Sequence, residues 1–286
     1  MFKWVAPLFF ASRAVSLQWC TQSARSMTTR RRAVVEEAEE ETFEFVVPNG
    51  VLAVYKPKGW TSADVVAKVR NTLQRAARQV EKKRRKVKVG HGGTLDPMAT
   101  GVLVLGVGTG CKNLDAYLAG AKGYRAVGFL GVETDTLDAE GNATARAPWE
   151  HVTRETLESA LVEFRGDIVQ TPPMFSALRS KGKRLYDLAR QGIEVDREAR
   201  PVTVYRLELT AFDAPSFYID VECGGGTYVR SLIADIGKRV DSVAHMAELE
   251  RTRQGVFTLD DCLHQGHWTP EEIATHVVEC SGRAGV

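Results

Sequence analysis

The chain of 286 residues is long enough for one large domain or two modest ones, and its composition, 44% hydrophobic and 26% charged, is that of an ordinary globular protein. No apolar stretch approaches the ~18 residues of a membrane-spanning helix, so we expect no membrane partner. Five scattered cysteines without C-x-x-C spacing argue against a zinc knuckle or a disulfide scaffold, and they fit a reducing compartment.

The formal net charge of +2 conceals a segregation of charge at the N-terminus. Residues 1–35 carry six bases and no acid, whereas residues 36–44 carry six glutamates and no base. The first composition is typical of a mitochondrial transit peptide, and an unstructured tail is the alternative. We therefore expect residues 1–49 to be a disordered leader with a Glu-rich linker, and the protein to be mitochondrial, with nucleus or cytoplasm as alternatives.

Without residues 1–35 the chain has 32 bases against 36 acids, a net charge of −4. A nucleic-acid-binding protein with this charge would depend on local basic clusters. One such cluster is the run Lys82-Lys-Arg-Arg-Lys86. It could hold phosphates at the rim of a site, or it could be a solvated loop or a nuclear-import patch.

Hydrophobic periodicity predicts alternating groups of strands and single helices from residue 51 onward. The predicted strands cover 51–55, 102–107, 124–130, 202–212 and 217–223. The predicted helices begin after Thr61 or Ser62 (ending near Arg75) and after Thr153, cover 185–190 and 227–240, and begin again after Thr269. This order predicts an α+β fold with a mixed, largely antiparallel sheet and flanking helices, over residues 50–270, followed by a C-terminal helix and tail over 271–286.

One acid, Asp96, stands in a glycine-rich bend between the basic run and an apolar strand. Gly90, Gly92 and Gly93 permit a sharp turn, and Pro97 keeps Asp96 out of the right-handed helical region. A short carboxylate on such a loop suits a nucleophile or base. The alternatives are a capped helix start and a phosphate-binding loop. However, the sequence has no G-x-x-x-x-G-K-[ST] motif, and its glycines lack the spacing of a dinucleotide-binding loop.

Several motifs, in order along the chain, resemble those of the TruB-type pseudouridine synthases. They are Leu52-Ala-Val-Tyr-Lys-Pro-Lys-Gly-Trp-Thr-Ser62, Gly90-His-Gly-Gly-Thr-Leu-Asp96, Lys122-Gly-Tyr-Arg-Ala126, Gly226-Thr-Tyr-Val-Arg-Ser231 and Ala244–Thr252. The resemblance runs from about Val51 to Thr258 and implies isomerisation of uridine to pseudouridine in tRNA, in the pseudouridine synthase fold, with no cofactor and no metal.

The resemblance also implies roles for individual residues: Asp96 as the nucleophile, Arg230 as its ion-pair partner, and Leu249 in the uracil site. Tyr124 would stack on the uracil or transfer a proton, Tyr228 would line the pocket, and His91 would contact the flipped nucleotide. Because burial alone would neutralise Asp96, a guanidinium is needed to favour its charged form. The alternatives are core packing for the two tyrosines, an exposed loop for the histidine and a helix surface for the arginine.

Residues 166–200 resemble the family's RNA-gripping insertion. A base inside a folded RNA loop must be extruded to react, and contacts to the flanking backbone can offset that cost. The basic side chains suited to this grip are Lys181, Lys183, Arg184 and Arg190. The alternative for each is a solubilising surface position.

Only 28 residues follow Thr258, too few for the PUA domain that many relatives carry. The expected absence of a PUA domain and the long basic segment before Asp96 resemble the eukaryotic branch of the family, which acts on the TΨC loop of tRNA. We expect the tRNA T-arm as the partner, messenger RNA as a further candidate, and a monomer.

Two other classes of function stay open. A non-catalytic RNA-binding or tRNA-folding factor could retain the pocket. A retaining glycosidase-like hydrolase would need a second carboxylate beside Asp96, for which Asp115, Glu133 and Asp135 are the candidates.

Overall fold

The computed structural model describes residues 45–80, 86–176, 178–180 and 182–285. The predicted transit peptide and Glu-rich stretch, residues 82–85 of the basic run, and Lys181 therefore lie outside the described residues. In the described part of the chain, no helix combines the length and apolar character needed to cross a bilayer.

Strands and helices alternate in small groups along the chain. The strands are β1 Gly50–Lys56, β2 Val89–His91, β3 Thr100–Val107, β4 Lys122–Leu130, β5 Val132–Thr134, β6 Ala143–Arg146, β7 Gly166–Gln170, β8 Arg179–Ser180, β9 Lys183–Arg184, β10 Arg200–Asp213, β11 Ser216–Cys223, β12 Ala244–Gln254 and β13 Phe257–Thr258. The helices are α1 Ser62–Val80, α2 Leu114–Ala119, α3 Arg154–Val162, α4 Leu185–Ala189, α5 Val229–Arg239 and α6 Pro270–Ala284.

One long sheet, in the order β1-β3-β12-β4-β11-β10-β7, organises these elements. β2 pairs with β3 and β13 pairs with β12, which gives nine strands in this sheet within the described ranges. The neighbours are antiparallel except β3 and β12, which run parallel through two residue pairs. The predicted α+β fold with a mixed, largely antiparallel sheet is confirmed.

Two hydrophobic cores flank this short parallel contact. On one side, β1 and β3 pack with α1 and α6, and on the other, β4, β10 and β11 pack with α3 and α5. Gly101 makes the contact between β3 and β12 possible, because a Cβ there would collide with the backbone of Arg251. We call this contact the seam, and it determines where the site lies.

Local signals explain most helix boundaries. Thr153 caps α3 and exchanges hydrogen bonds with Thr156, and Thr269 caps α6 ahead of Pro270. The prediction that the first helix ends near Arg75 is wrong. The buried stripe that includes Leu73 continues through Ala76, and α1 ends at Val80.

Candidate active site

Asp96 lies at the seam, within residues 92–97 of the loop that joins β2 to β3. The Ala99 N–H donates to the Asp96 carbonyl at 3.1 Å and closes a turn over Pro97 and Met98. The alternative of a capped helix start is wrong, because strand β3 follows this turn. We refer to residues 92–97 as the Asp96 loop.

Arg230, in the first turn of α5, holds the Asp96 carboxylate at two points. Its Nε lies 2.9 Å from Oδ2 and its Nη2 lies 3.2 Å from Oδ1. The guanidinium also donates to the carbonyls of Thr136 at 2.9 Å and Phe175 at 2.7 Å, which fix its plane. The Arg230 side chain is 5% exposed, which excludes the surface alternative, whereas the Asp96 side chain is 31% exposed. The carboxylate therefore remains accessible to a substrate.

A second carboxylate, Asp138, lies on the other side of the same guanidinium. Its Oδ2 is 3.7 Å from Arg230 Nη1, and its Oδ1 accepts from the Thr136 hydroxyl at 2.6 Å and the Glu140 N–H at 3.1 Å. Sequence reasoning missed this residue. Residues 133–140 contain four acids in an irregular turn, and nothing in their spacing indicates which one points inward.

Two of the three carboxylates considered for a hydrolase are engaged elsewhere. Glu133 pairs with Lys238 at 3.3 Å, and Asp135 accepts from the Asn142 N–H at 2.9 Å. Asp115 is exposed in the first turn of α2. The structure therefore brings none of the three to Asp96.

Opposing influences act on the charge of Asp96. Burial raises the pKa of its carboxyl above the ordinary value, and the Asp138 charge acts in the same direction. The positive charges of Arg230 and Lys56 oppose the rise. Because burial is the larger influence, the charged form depends on these neighbouring cations.

Buried side chains from β12 hold the first half of the Asp96 loop. The Arg251 guanidinium donates to the carbonyls of Gly93 at 3.3 Å and Thr94 at 3.4 Å, and its Nε donates to the Val102 carbonyl of β3 at 2.7 Å. The Gln254 side-chain amide donates to the Gly92 carbonyl at 2.7 Å. Both side chains are almost completely buried, so this end of the loop has little freedom.

The second half of the loop is held from β1 and α1. The Leu95 N–H donates to Ser62 Oγ at 2.8 Å, and the Ser62 hydroxyl lies 3.2 Å from the Leu95 carbonyl. Lys56 Nζ donates to the carbonyls of Pro57, Trp60 and Pro97 at 2.9, 2.6 and 3.2 Å. Burial lowers the pKa of the Lys56 ammonium to about 8. An irregular loop is thus held at nearly every residue by buried polar groups.

Tyr124, Tyr228 and Leu249 surround the Asp96 loop. Tyr124 lies in β4 beside the Arg251 guanidinium, and burial raises the pKa of its phenol to about 12. Tyr228 precedes α5, and burial raises the pKa of its phenol as well. Leu249 is buried in β12 beside the parallel contact. The structure therefore groups these three predicted residues near the Asp96 loop.

The remaining predicted residues lie around the rim or farther away. His91 ends β2 and is half-buried, with its Nδ1 3.4 Å from the Gly93 N–H. Lys183 is exposed on the β8–β9 hairpin, which also contains Arg184. Arg190 is exposed, with its guanidinium 5.6 Å from the ring centroid of Tyr186. The described residues include no group of three or more His, Cys, Asp or Glu side chains that could hold a metal ion.

Comparisons with known proteins identify the family. The model for the TruB family pseudouridylate synthase (N terminal domain) matches residues 78–229. Pseudouridylate synthase TRUB1 from Homo sapiens is 42% identical over 291 residues, covering 96% of this chain and 83% of that protein. tRNA pseudouridine synthase B from Dehalococcoides mccartyi (strain ATCC BAA-2100 / JCM 16839 / KCTC 5957 / BAV1) is 45% identical over 215 residues, covering 75% and 68%. The chain belongs to the TruB family of pseudouridylate synthases.

Solved structures with the same fold agree with this assignment. The crystal structure of a Cbf5-Nop10-Gar1 complex matches with a TM-score of 0.56 and 31% identity, covering 78% of this chain and 53% of that one. The Nop10-Cbf5 complex of an archaeal box H/ACA sRNP matches with a TM-score of 0.56 and 26% identity, covering 81% and 58%. The chain spans just over half the length of these structural relatives. The predicted family and enzyme class, a pseudouridine synthase, are confirmed.

Proposed function

We propose that this enzyme converts a uridine of the TΨC loop of tRNA to pseudouridine, with Asp96 as the nucleophile. The observation that carries the proposal is the two-point ion pair between a buried arginine and Asp96, whose carboxylate stays partly exposed. The curated relatives include enzymes named tRNA pseudouridine synthase B, which supports tRNA as the substrate. Messenger RNA is a further candidate substrate.

The reaction is an isomerisation, so atoms and electrons balance without a co-reactant. The Asp96 carboxylate attacks C1′ of the ribose, and the C1′–N1 bond breaks with its electron pair left on the uracil. The uracil rotates within the pocket, and its C5 attacks C1′ and displaces the carboxylate. Loss of the C5 proton and protonation of N1 complete the pseudouridine.

In this mechanism Arg230 keeps the Asp96 carboxylate ionised and correctly oriented. Its guanidinium contacts both carboxylate oxygens, and its positive charge favours the ionised form of Asp96, whereas burial favours the neutral form. The Tyr124 phenol, with a pKa of about 12, is protonated at neutral pH in the free protein. That protonation state favours stacking of its ring on the uracil over action as the base.

Entry of the uridine requires its extrusion from the RNA loop, at a cost of about a few kcal/mol. Lys183, Arg184 and Arg190, on the segment between β7 and β10, are suited to hold the flanking phosphates. His91, at the rim of the Asp96 loop, is suited to contact the nucleotide as it leaves the stack.

The test is the reaction of an unmodified T-arm stem-loop with wild-type protein and with Asp96→Asn. We expect the substitution to lower turnover on the order of 10⁴-fold or more, because the nucleophile is lost, while RNA binding persists. Asp135→Asn, the same change at an exposed acid, should react like wild type. Retention of turnover by Asp96→Asn would contradict the mechanism.

The same assays test the competing functions. Faster refolding of tRNA without any pseudouridine would indicate a tRNA-folding factor. Release of free uracil would indicate a hydrolase.

We further propose that the enzyme acts as a monomer in mitochondria. The basic, acid-free composition of residues 1–35 supports the location. A fluorescent fusion of the full chain should co-localise with a mitochondrial marker, and a fusion without residues 1–35 should not. Light scattering of the full chain should give the mass of one copy, and a dimer mass would contradict the monomer.

A further inference from the structure

A row of cations lies along the solvent face of α1. The buried positions of this helix, such as Val65, Val69 and Leu73, form one stripe at helical spacing. The opposite stripe carries the exposed residues Lys68, Arg75 and Arg78. The charges therefore share one face because the apolar residues occupy the other.

Two further lysines extend this row. The Val87 N–H donates to Gln74 Oε1 at 2.9 Å, which brings the returning chain back beside the second half of α1. Lys86 and Lys88 flank Val87, and both are exposed. We call Lys68, Arg75, Arg78, Lys86 and Lys88 the basic band.

Nothing within the described part of the chain neutralises this band. None of its five cations lies within 4 Å of a described carboxylate, unlike Arg154, Arg206, Lys238 and Arg239, which are all paired. Asp64, earlier on the same stripe, is bound to the Thr61 backbone and hydroxyl. An uncompensated row of positive charge is complementary to a polyanion.

The band extends away from the target uridine. Ser62, the first residue of α1, is hydrogen-bonded to Leu95 beside Asp96, so the helix begins at the site. At 1.5 Å per residue, Arg78 lies about 24 Å farther along the helix axis. That distance is long enough to follow several consecutive phosphates of an RNA backbone.

We propose that the basic band binds the phosphate backbone of the tRNA substrate outside the T-arm stem-loop, as a second RNA-contact surface. This inference rests on the proposed function, since it takes tRNA as the polyanion. The band needs no base contacts: phosphate contacts fix the position of a folded RNA without reading its sequence. Residues 81–85 are not part of it.

The test compares whole unmodified tRNA with an isolated T-arm stem-loop. The variant replaces Lys68, Arg75, Arg78 and Lys86 by Gln and keeps Lys88, which is closest in sequence to the Asp96 loop. The matched control removes the same charge from paired positions by replacing Arg154, Arg206, Lys238 and Arg239 by Gln. Filter binding at several salt concentrations and single-turnover kinetics are measured for each RNA.

We expect the band variant to bind whole tRNA roughly tenfold more weakly, with a shallower dependence on salt, and to bind and modify the stem-loop like wild type. The control should match wild type on both RNAs. An unchanged affinity for tRNA, or an equal loss on both RNAs, would overturn the band and leave the proposed function intact. Failure of wild-type protein to modify either RNA would instead refute the proposed function.

Discussion

The Asp96 loop and the segment between β7 and β10, residues 171–199, are both largely irregular, yet they are held in different ways. Buried polar side chains from three elements bind the Asp96 loop at nearly every residue. Among the described residues, the 171–199 segment is hydrogen-bonded to α5 near its start, where Thr171 accepts from Ser231 at 3.0 Å and Phe175 accepts from Arg230. Farther on, it presents exposed Lys183 and Arg190 to solvent.

This difference matches what each segment has to do in the proposed reaction. A nucleophile must be placed to within a fraction of an ångström, since a misplacement of about 1 Å can cost about 10²-fold in rate. A phosphate contact tolerates more variation and gives affinity rather than chemistry. Substitutions in the two segments should therefore affect the reaction in different ways.

Arg230→Met should have the largest effect, because Arg230 contacts both segments. Two carboxylates would lose their cation, and we expect the free energy of unfolding to fall by about 3–5 kcal/mol. Since Arg230 lowers the pKa of Asp96, its loss should raise that pKa further and move the acid limb of kcat/KM to higher pH. Chemical denaturation and a pH–rate profile measure the two effects.

Arg230→Lys is the matched control for charge. It keeps a cation but loses the two-point contact of the guanidinium. The acid limb of its kcat/KM profile should therefore lie between those of wild type and Arg230→Met. If the acid limb stayed in place in all three proteins, Arg230 would have no part in keeping Asp96 charged.

Arg251→Met should have the second largest effect. It leaves the carbonyls of Gly93, Thr94 and Val102 without their donor, so we expect kcat to fall by about 10²-fold with KM little changed. Arg253→Met removes an arginine two residues away that pairs with Glu222 near the surface at 3.0 Å, and it should cost less than about 1 kcal/mol in stability. Equal kinetics for the two variants would contradict the role given to Arg251.

Ser62→Ala should have a smaller effect. The Leu95 N–H would lose its acceptor, for a cost of about 1–2 kcal/mol in the free energy of unfolding and a fall of about tenfold in kcat. Thr61→Ala removes the neighbouring hydroxyl, which accepts from the Asp64 N–H at 3.0 Å at the start of the same helix. It should cost about 1 kcal/mol in stability and leave kcat unchanged. A fall in kcat in both variants would mean that helix capping, and not the contact to Leu95, supports the loop.

Local signals in the sequence predicted several elements and singled out Asp96 as a candidate nucleophile. The caps at Thr153 and Thr269 and the alternation over 217–223 predicted α3, α6 and β11, because capping and period-2 burial depend on neighbouring residues. The central strand β12 was missed, because Glu248, Glu250 and Arg253 obscure its alternation. Glu250 and Arg253 form ion pairs with Arg125 and Glu222 of other strands, and these contacts exist only after the sheet has assembled.

The support of the site could not be predicted for a related reason. Arg230 and Asp96 are 134 positions apart, and only their chemistry and the family resemblance suggested a contact. Lys56, Arg251 and Gln254 were not predicted at all. Their burial is favourable because carbonyls of the Asp96 loop and of neighbouring residues accept their hydrogen bonds, and that loop forms only in the complete fold.

Lys183→Gln should have the smallest effect, and it tests the 171–199 segment. The side chain is exposed on the β8–β9 hairpin, so we expect KM for the stem-loop to rise by about threefold with kcat and stability unchanged, and the salt slope of binding to fall by about one. Arg154→Gln, an exposed position paired with Glu158 on α3, should leave both values as they are. A fall in kcat at constant KM would mean that the hairpin helps to position the reacting nucleotide. In that case the division between a rigid catalytic loop and a tolerant RNA grip would not hold, because the exposed segment would then need the same accuracy of placement as Asp96.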